Sequence, residues 1–235
     1  VEPTLSLLIR IAPFAIASAF SGSLLAATII ILTGKGDAKA RALWFSLGIA
    51  TANIFVIILS YFLTNLIFNA VENTPATVSA VFDVVLGALF VFIAIKVAAS
   101  KPKKKPEKKQ QIPEKGTSAQ LGRYYLVGFV AMITNLTSIP LVIVVVKETV
   151  DSSVEILGQI VVLLFTFLMV MMPVLIPWIL YSVSPEYARK ILEPVNRVIL
   201  KYGKRVSYIA FFIFGGFLII RGAIEVVIIG ETRLG

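Results

Sequence analysis

The chain has no cysteine and no histidine, and its 235 residues hold only 13 acids against 22 lysines and arginines. Without cysteine there is no disulfide, no thiolate ligand and no thiol redox chemistry. Without histidine the usual general acid–base group is missing, as is the imidazole ligand for zinc, iron, nickel or copper. A hard cation held by carboxylate and carbonyl oxygens stays open. No GxxxxGK[ST] loop occurs, which removes the nucleotide-driven engine built on that motif. An intramembrane enzyme would need a carboxylate mechanism, and Asp83 has no second acid near it in sequence. The expectation is therefore no enzyme, no metal and no cofactor.

What is abundant is apolar length. Hydrophobic residues make up 58% of the chain. They fall into six runs, roughly 4–32, 43–70, 76–99, 122–147, 153–183 and 206–230. Each exceeds the about 20 residues that a helix needs to cross a bilayer core. The runs are continuous rather than alternating, which excludes barrel strands. The first run lacks a basic flank and is too long for a signal peptide, so it reads as a retained helix. The fold class expected is an all-α integral membrane protein with six transmembrane helices.

Charge then orients the bundle. Seventeen of the 22 basic residues fall in every second loop: Lys35–Arg41, Lys101–Arg123 and Arg189–Arg205. Acids such as Glu2, Glu72, Asp151, Glu155 and Glu231 mark the opposite ends. The positive-inside rule makes the basic loops cytoplasmic and both termini external, N-out and C-out. The net charge of +9 then belongs beside anionic lipid rather than nucleic acid.

The two halves read as copies. Val78-Ser79 followed by Gly87 matches Val206-Ser207 followed by Gly215, and Ser21-Gly22-Ser23 has a counterpart in Asn135-Leu136-Thr137-Ser138. Three helices per copy would place the second upside down, the inverted-repeat plan of many secondary transporters. The units are 1–99, a basic cytoplasmic linker 100–121, and 122–235. The linker's Lys, Pro, Gln and Glu composition cannot bury a core. Within the second unit, about 185–203 reads as an amphipathic helix lying on the inner leaflet, with Ile191, Val195, Val198 and Tyr202 on its apolar face.

Polar residues deep in apolar runs carry the candidate chemistry. The substrate path is assigned to Ser21, Gly22, Ser23, Asn135, Thr137 and Ser138, with both runs expected to break there. Pro140 removes a backbone donor close by. A candidate coupling or charge site comprises Asp83, Arg10, Arg221 and Glu225. Asp83 suits proton or cation coupling, or pairing with Arg10 or Arg221. Arg221 and Glu225, at i and i+4, suit a simple pair, or Arg221 an anionic headgroup. Asn53 suits an interhelical bond. Lys96 and Lys147, near helix ends, suit snorkelling.

Several segments together resemble the LysE (lysine exporter) superfamily. They are Ser21–Leu25, Ala40–Gly48 and Asp83–Phe90 in the first half, and Ile133–Thr137, the Pro173/Pro177 helix and the basic stretch before Gly215-Gly216 in the second. The closest branch is the GAP family, related to the Sap (sulfolipid-addressing) proteins. The superfamily's proline in the first-helix break is replaced here by Ser21-Gly22-Ser23, and Pro140 arrives a turn later than usual. The resemblance implies a secondary transporter in a prokaryotic plasma membrane. It would export a small amphipathic, amino-acid-like or lipid-linked substrate along a path between the first and fourth helices. Its partners are the lipid bilayer and that substrate, with no nucleic acid, and a homo-oligomer is a further candidate. Two alternatives are a non-transporting lipid or envelope assembly factor that recruits a partner through the linker, and a cation exporter using oxygen ligands.

Overall fold

The computed structural model describes residues 2–34, 37–70, 75–99 and 118–234. Most of the linker assigned to 100–121 lies outside the described residues. Every regular element among those described is an α-helix: α1 (Glu2–Ser18), α2 (Gly22–Thr33), α3 (Ala38–Ala70), α4 (Pro75–Ala99), α5 (Ser118–Ile133), α6 (Ile139–Val150), α7 (Ile156–Val183) and α8 (Pro185–Leu234). Apolar runs of this length become helices because hydrocarbon offers no partner for backbone N–H and C=O groups.

Four of these helices are long and apolar enough to cross a membrane, within α3, α4, α7 and the later part of α8. The α1–α2 pair, bent by 50°, makes a fifth if counted as one broken span. Outward positions are apolar throughout, with Ile30, Ile58, Phe62, Ile213 and Ile220 each more than 60% exposed. Such a surface suits lipid and not water. The protein is an integral membrane protein.

Two glycine seams fix the packing. A Cβ on Gly48 of α3 would run into the carbonyl of Tyr125 on α5, and one on Gly128 into the carbonyl of Phe45. On α4 and α8, a Cβ on Gly87 would stand 2.7 Å from the Gly215 carbonyl oxygen, and one on Gly215 would stand 2.8 Å from that of Gly87. Absent side chains let helix backbones touch, which is how helices adhere without a hydrophobic driving force. The short α6 lies between two cores. Val144 and Val145 join a cluster with Phe14, Phe90 and Phe211, while Val142 and Val146 join one with Leu24, Phe45 and Met171.

Two expectations change here. The segment 185–203 is no separate helix; it is the first part of the 50-residue α8. Residues 201–207 contain no proline, and the lone Gly203 costs a helix only about 1 kcal/mol. Pro194 lies inside the same helix. Pro140 occupies the first turn of α6, where its missing N–H has no intrahelical partner to lose.

Candidate functional site

Both apolar runs break where the serine, threonine and asparagine clusters fall, between α1 and α2 and between α5 and α6. Small hydroxyl and amide side chains bond to backbone in non-helical forms, so they can hold a break that apolar neighbours could not. The two breaks meet. Asn135 Nδ2 donates to Ser21 Oγ at 3.0 Å and to Ser138 Oγ at 3.0 Å. Ser138 Oγ donates in turn to the Ser18 carbonyl at 2.9 Å. Asn135 Oδ1 accepts from the Thr137 hydroxyl and from the Thr137 and Ser138 backbone N–H groups. Ser21 also caps α2 by accepting from the Leu24 N–H.

Beside this knot lies a cavity of about 660 Å³, bounded by the α1–α2 break, the Pro173–Pro177 stretch of α7 and the stretch of α8 from Ile191 to Phe214. Ser21, Gly22 and Thr137 of the six predicted path residues line it. Asn135 and Ser138 are buried behind the wall, their polar atoms engaged by the chain itself, and Ser23 is exposed. Asn135 thus pins the two breaks together instead of facing the cavity. Ser18 completes the knot and was not singled out from sequence; its place in Ala17-Ser18-Ala19, three residues before Ser21, was the available signal.

The cavity wall is otherwise apolar. Leu192, Val195, Val198 and Tyr202 of α8 form one side, so the amphipathic face expected on the leaflet turns to the cavity. Lys190, Arg197, Lys201 and Lys204 lie along the polar side of the same helix segment. Farther along α1, α4, α6 and α8 sits a ring of alternating charge. Lys147 Nζ lies 2.8 Å from Asp83 Oδ1 and 3.3 Å from Glu148 Oε1. Arg221 closes it at 3.3 Å to Asp83 and 2.8 Å to Glu148. Arg10 joins from α1, 3.1 Å from Glu148 Oε2.

The structure therefore brings Asp83, Arg10 and Arg221 together. Arg221 turns to Asp83 and Glu148, so the simple Arg221–Glu225 pair is replaced. Lys147 does not snorkel: it is wholly buried, because Asp83 and Glu148 hold its ammonium inside. Asn53 donates to the Phe167 carbonyl on α7 at 3.4 Å. Among the described residues no group of three or more acids is arranged to hold a metal ion.

A family model described as SfLAP: Sap, sulfolipid-1-addressing protein, matches residues 11–224. That span contains both breaks, the cavity lining and four members of the charge ring, with Arg10 and Glu225 just outside it. No curated protein and no solved structure matches the chain.

Proposed function

The chain belongs to the Sap, sulfolipid-1-addressing protein family, and on that premise we propose that it is an exporter of an amphipathic, lipid-like substrate. The observation that carries the reading is the cavity of about 660 Å³, lined almost wholly by apolar groups and touching the polar knot where two helices break. An acyl chain suits the apolar wall, and an anionic headgroup suits the basic edge of α8. The family's name points to a lipid of that kind. Transport here is carriage without covalent chemistry, in a prokaryotic plasma membrane with the basic loops cytoplasmic.

The six-span, inverted-repeat plan belongs to the same proposal. Residues on a pseudo-twofold axis contact their own counterparts, as at any two-fold interface. Ser21 and Asn135, and Asn53 and Phe167, are two such pairs, each hydrogen-bonded across a separation of 114 residues. Gly87 and Gly215 make reciprocal contact at a separation of 128, and the longer spacing follows the amphipathic segment that opens α8. These pairs support the plan. The same spacing of 114 explains why the cavity lies on one side. The counterparts of Gly48 and Gly128, which let α3 and α5 touch, are Val162 and Phe14 on α7 and α1, both buried in one core cluster. Bulk replaces glycine there, so α1 and α7 meet through side chains while α3 and α5 meet through backbone.

Reconstitution tests the reading. Vesicles containing the protein should translocate a sulfated or phosphorylated amphiphile, and Ala17→Trp with Ala210→Trp, which fill the cavity, should reduce translocation to near background without loss of fold. Unaltered flux in the filled variant would overturn the assignment of the cavity.

A further inference from the structure

Burying charge is costly, and a buried ion pair is seldom more stable than the apolar residues that could replace it. Asp83, Lys147 and Glu148 are nevertheless fully enclosed, and they sit in a protein whose acids are few. Asp83 Oδ2 and Glu148 Oε2 are buried and make no aligned hydrogen bond, being held only by ion pairs to Arg221 Nε at 3.3 Å and Arg10 Nε at 3.1 Å. The ring is thus charged, enclosed and incompletely hydrogen-bonded. In a membrane interior, ionisable groups in that condition mark proton or ion pathways.

The charges that face it come from four helices. Arg10 reaches in from α1, Asp83 from α4, Lys147, Glu148 and Asp151 from α6, and Arg221 and Glu225 from α8; among the described ion pairs α7 contributes none. Glu148 is held by three cations and Asp83 by two, so Asp83 is the easier carboxylate to neutralise. A route to the solvent exists. Asp151, with 27% of its side chain exposed, accepts from Ser79 Oγ at 2.8 Å and lies 3.8 Å from Lys147 Nζ.

We propose that Asp83, Lys147 and Arg221 form a proton-binding site in which a proton entering past Asp151 comes to rest on the Asp83 carboxylate. Lys147 stays an ammonium and keeps Glu148 and Asp151 as its partners. Both ion pairs that α4 makes with α6 and α8 are then lost, while Glu148 retains Arg10 and Arg221. The site can act on the knot because one element carries both. Lys147 is near the C-terminal end of α6, and Ser138 stands at the N-cap position of the other end, about 13 Å away at 1.5 Å per residue. That coupling role, unlike the proton site itself, rests on the exporter reading.

Infrared difference spectroscopy of the full chain in lipid vesicles tests the site directly. Acidification should raise the C=O stretch of a protonated buried carboxyl, and the band should survive in Glu225→Gln. It should vanish in the double variant Asp83→Asn, Lys147→Met, which removes a matched pair and so leaves no lone buried charge to unfold the protein. Persistence of the band in the double variant, or no band in the unaltered protein, would overturn the site. Flux measured with and without an imposed pH gradient tests the coupling: a several-fold difference that the double variant abolishes supports it, and gradient-independent flux overturns it. A band without flux leaves the proton site standing and defeats the exporter reading; flux without a band does the reverse.

Discussion

Asn135 and Lys147 are each enclosed by groups arriving from other helices, and that decides what their removal does. Asn135→Ala deletes the donations to Ser21 and Ser138 and strips the acceptor from Thr137 and Ser138. Interhelical bonds in membranes average about 0.6 kcal/mol, and each buried group left unpaired adds about 1–3 kcal/mol. The variant should therefore show both a lower Tm and reduced flux, whereas Ser23→Ala, at an exposed position, should leave Tm unchanged. Lys147→Met leaves buried Asp83 with Arg221 alone and should cost about 3–5 kcal/mol in an unfolding titration. Adding Asp83→Asn should recover much of that loss. The sequence showed Asn135 as the centre of a polar cluster because its local partners, Thr137 and Ser138, are adjacent. It could not show that Lys147 is enclosed, since Asp83 lies 64 residues away and the local acids Glu148 and Asp151 fit a snorkelling lysine equally well.

Among the elements, the breaks were the most legible feature. Ser21 and Asn135–Ser138 lie in interruptions of runs that are otherwise helix formers, and a short polar cluster suffices to announce the interruption. The continuity of α8 was less legible, because an amphipathic stretch followed by an apolar one looks like two elements when only the pattern changes and the backbone does not. Glycine seams give a direct test of the element packing. Gly48→Ala must push apart backbones already in contact, so it should destabilise by about 1–3 kcal/mol, as overpacked cores do. Gly216→Ala on α8 meets nothing within 4 Å and should be neutral or stabilising by about 0.5–1 kcal/mol through helix propensity. Thermal unfolding of the two variants in the same detergent separates the seam from the open surface. Equal shifts would mean that α3 and α5 do not approach as closely as Gly48 allows.

At the scale of the whole molecule, the proposed carrier takes its direction from the basic loops and its path from the cavity. An impermeant lysine reagent applied to intact cells should miss Lys190 and Lys201 on α8, as well as the linker cluster, and should label them once the membrane is opened; labelling of intact cells would reverse the orientation. Under the proposed two-fold plan, Phe14 and Val162 stand where the other half has Gly128 and Gly48, an inequality that the doubled sequence pattern did not announce. On the proposed carrier reading, α3–α5 is the fixed side and α1–α7 the side that moves. The chain has no cysteine, so spin labels attach only where cysteines are introduced. Two counterpart pairs at exposed positions are Ile16 with Val161 and Val130 with Leu47. Pulsed electron paramagnetic resonance distances on the reconstituted protein, with and without an anionic amphiphile, test the account most directly. The Ile16–Val161 distance should change on binding while the Leu47–Val130 distance stays constant. A change confined to Leu47–Val130, or no change in either pair, would contradict a carrier that works through this cavity.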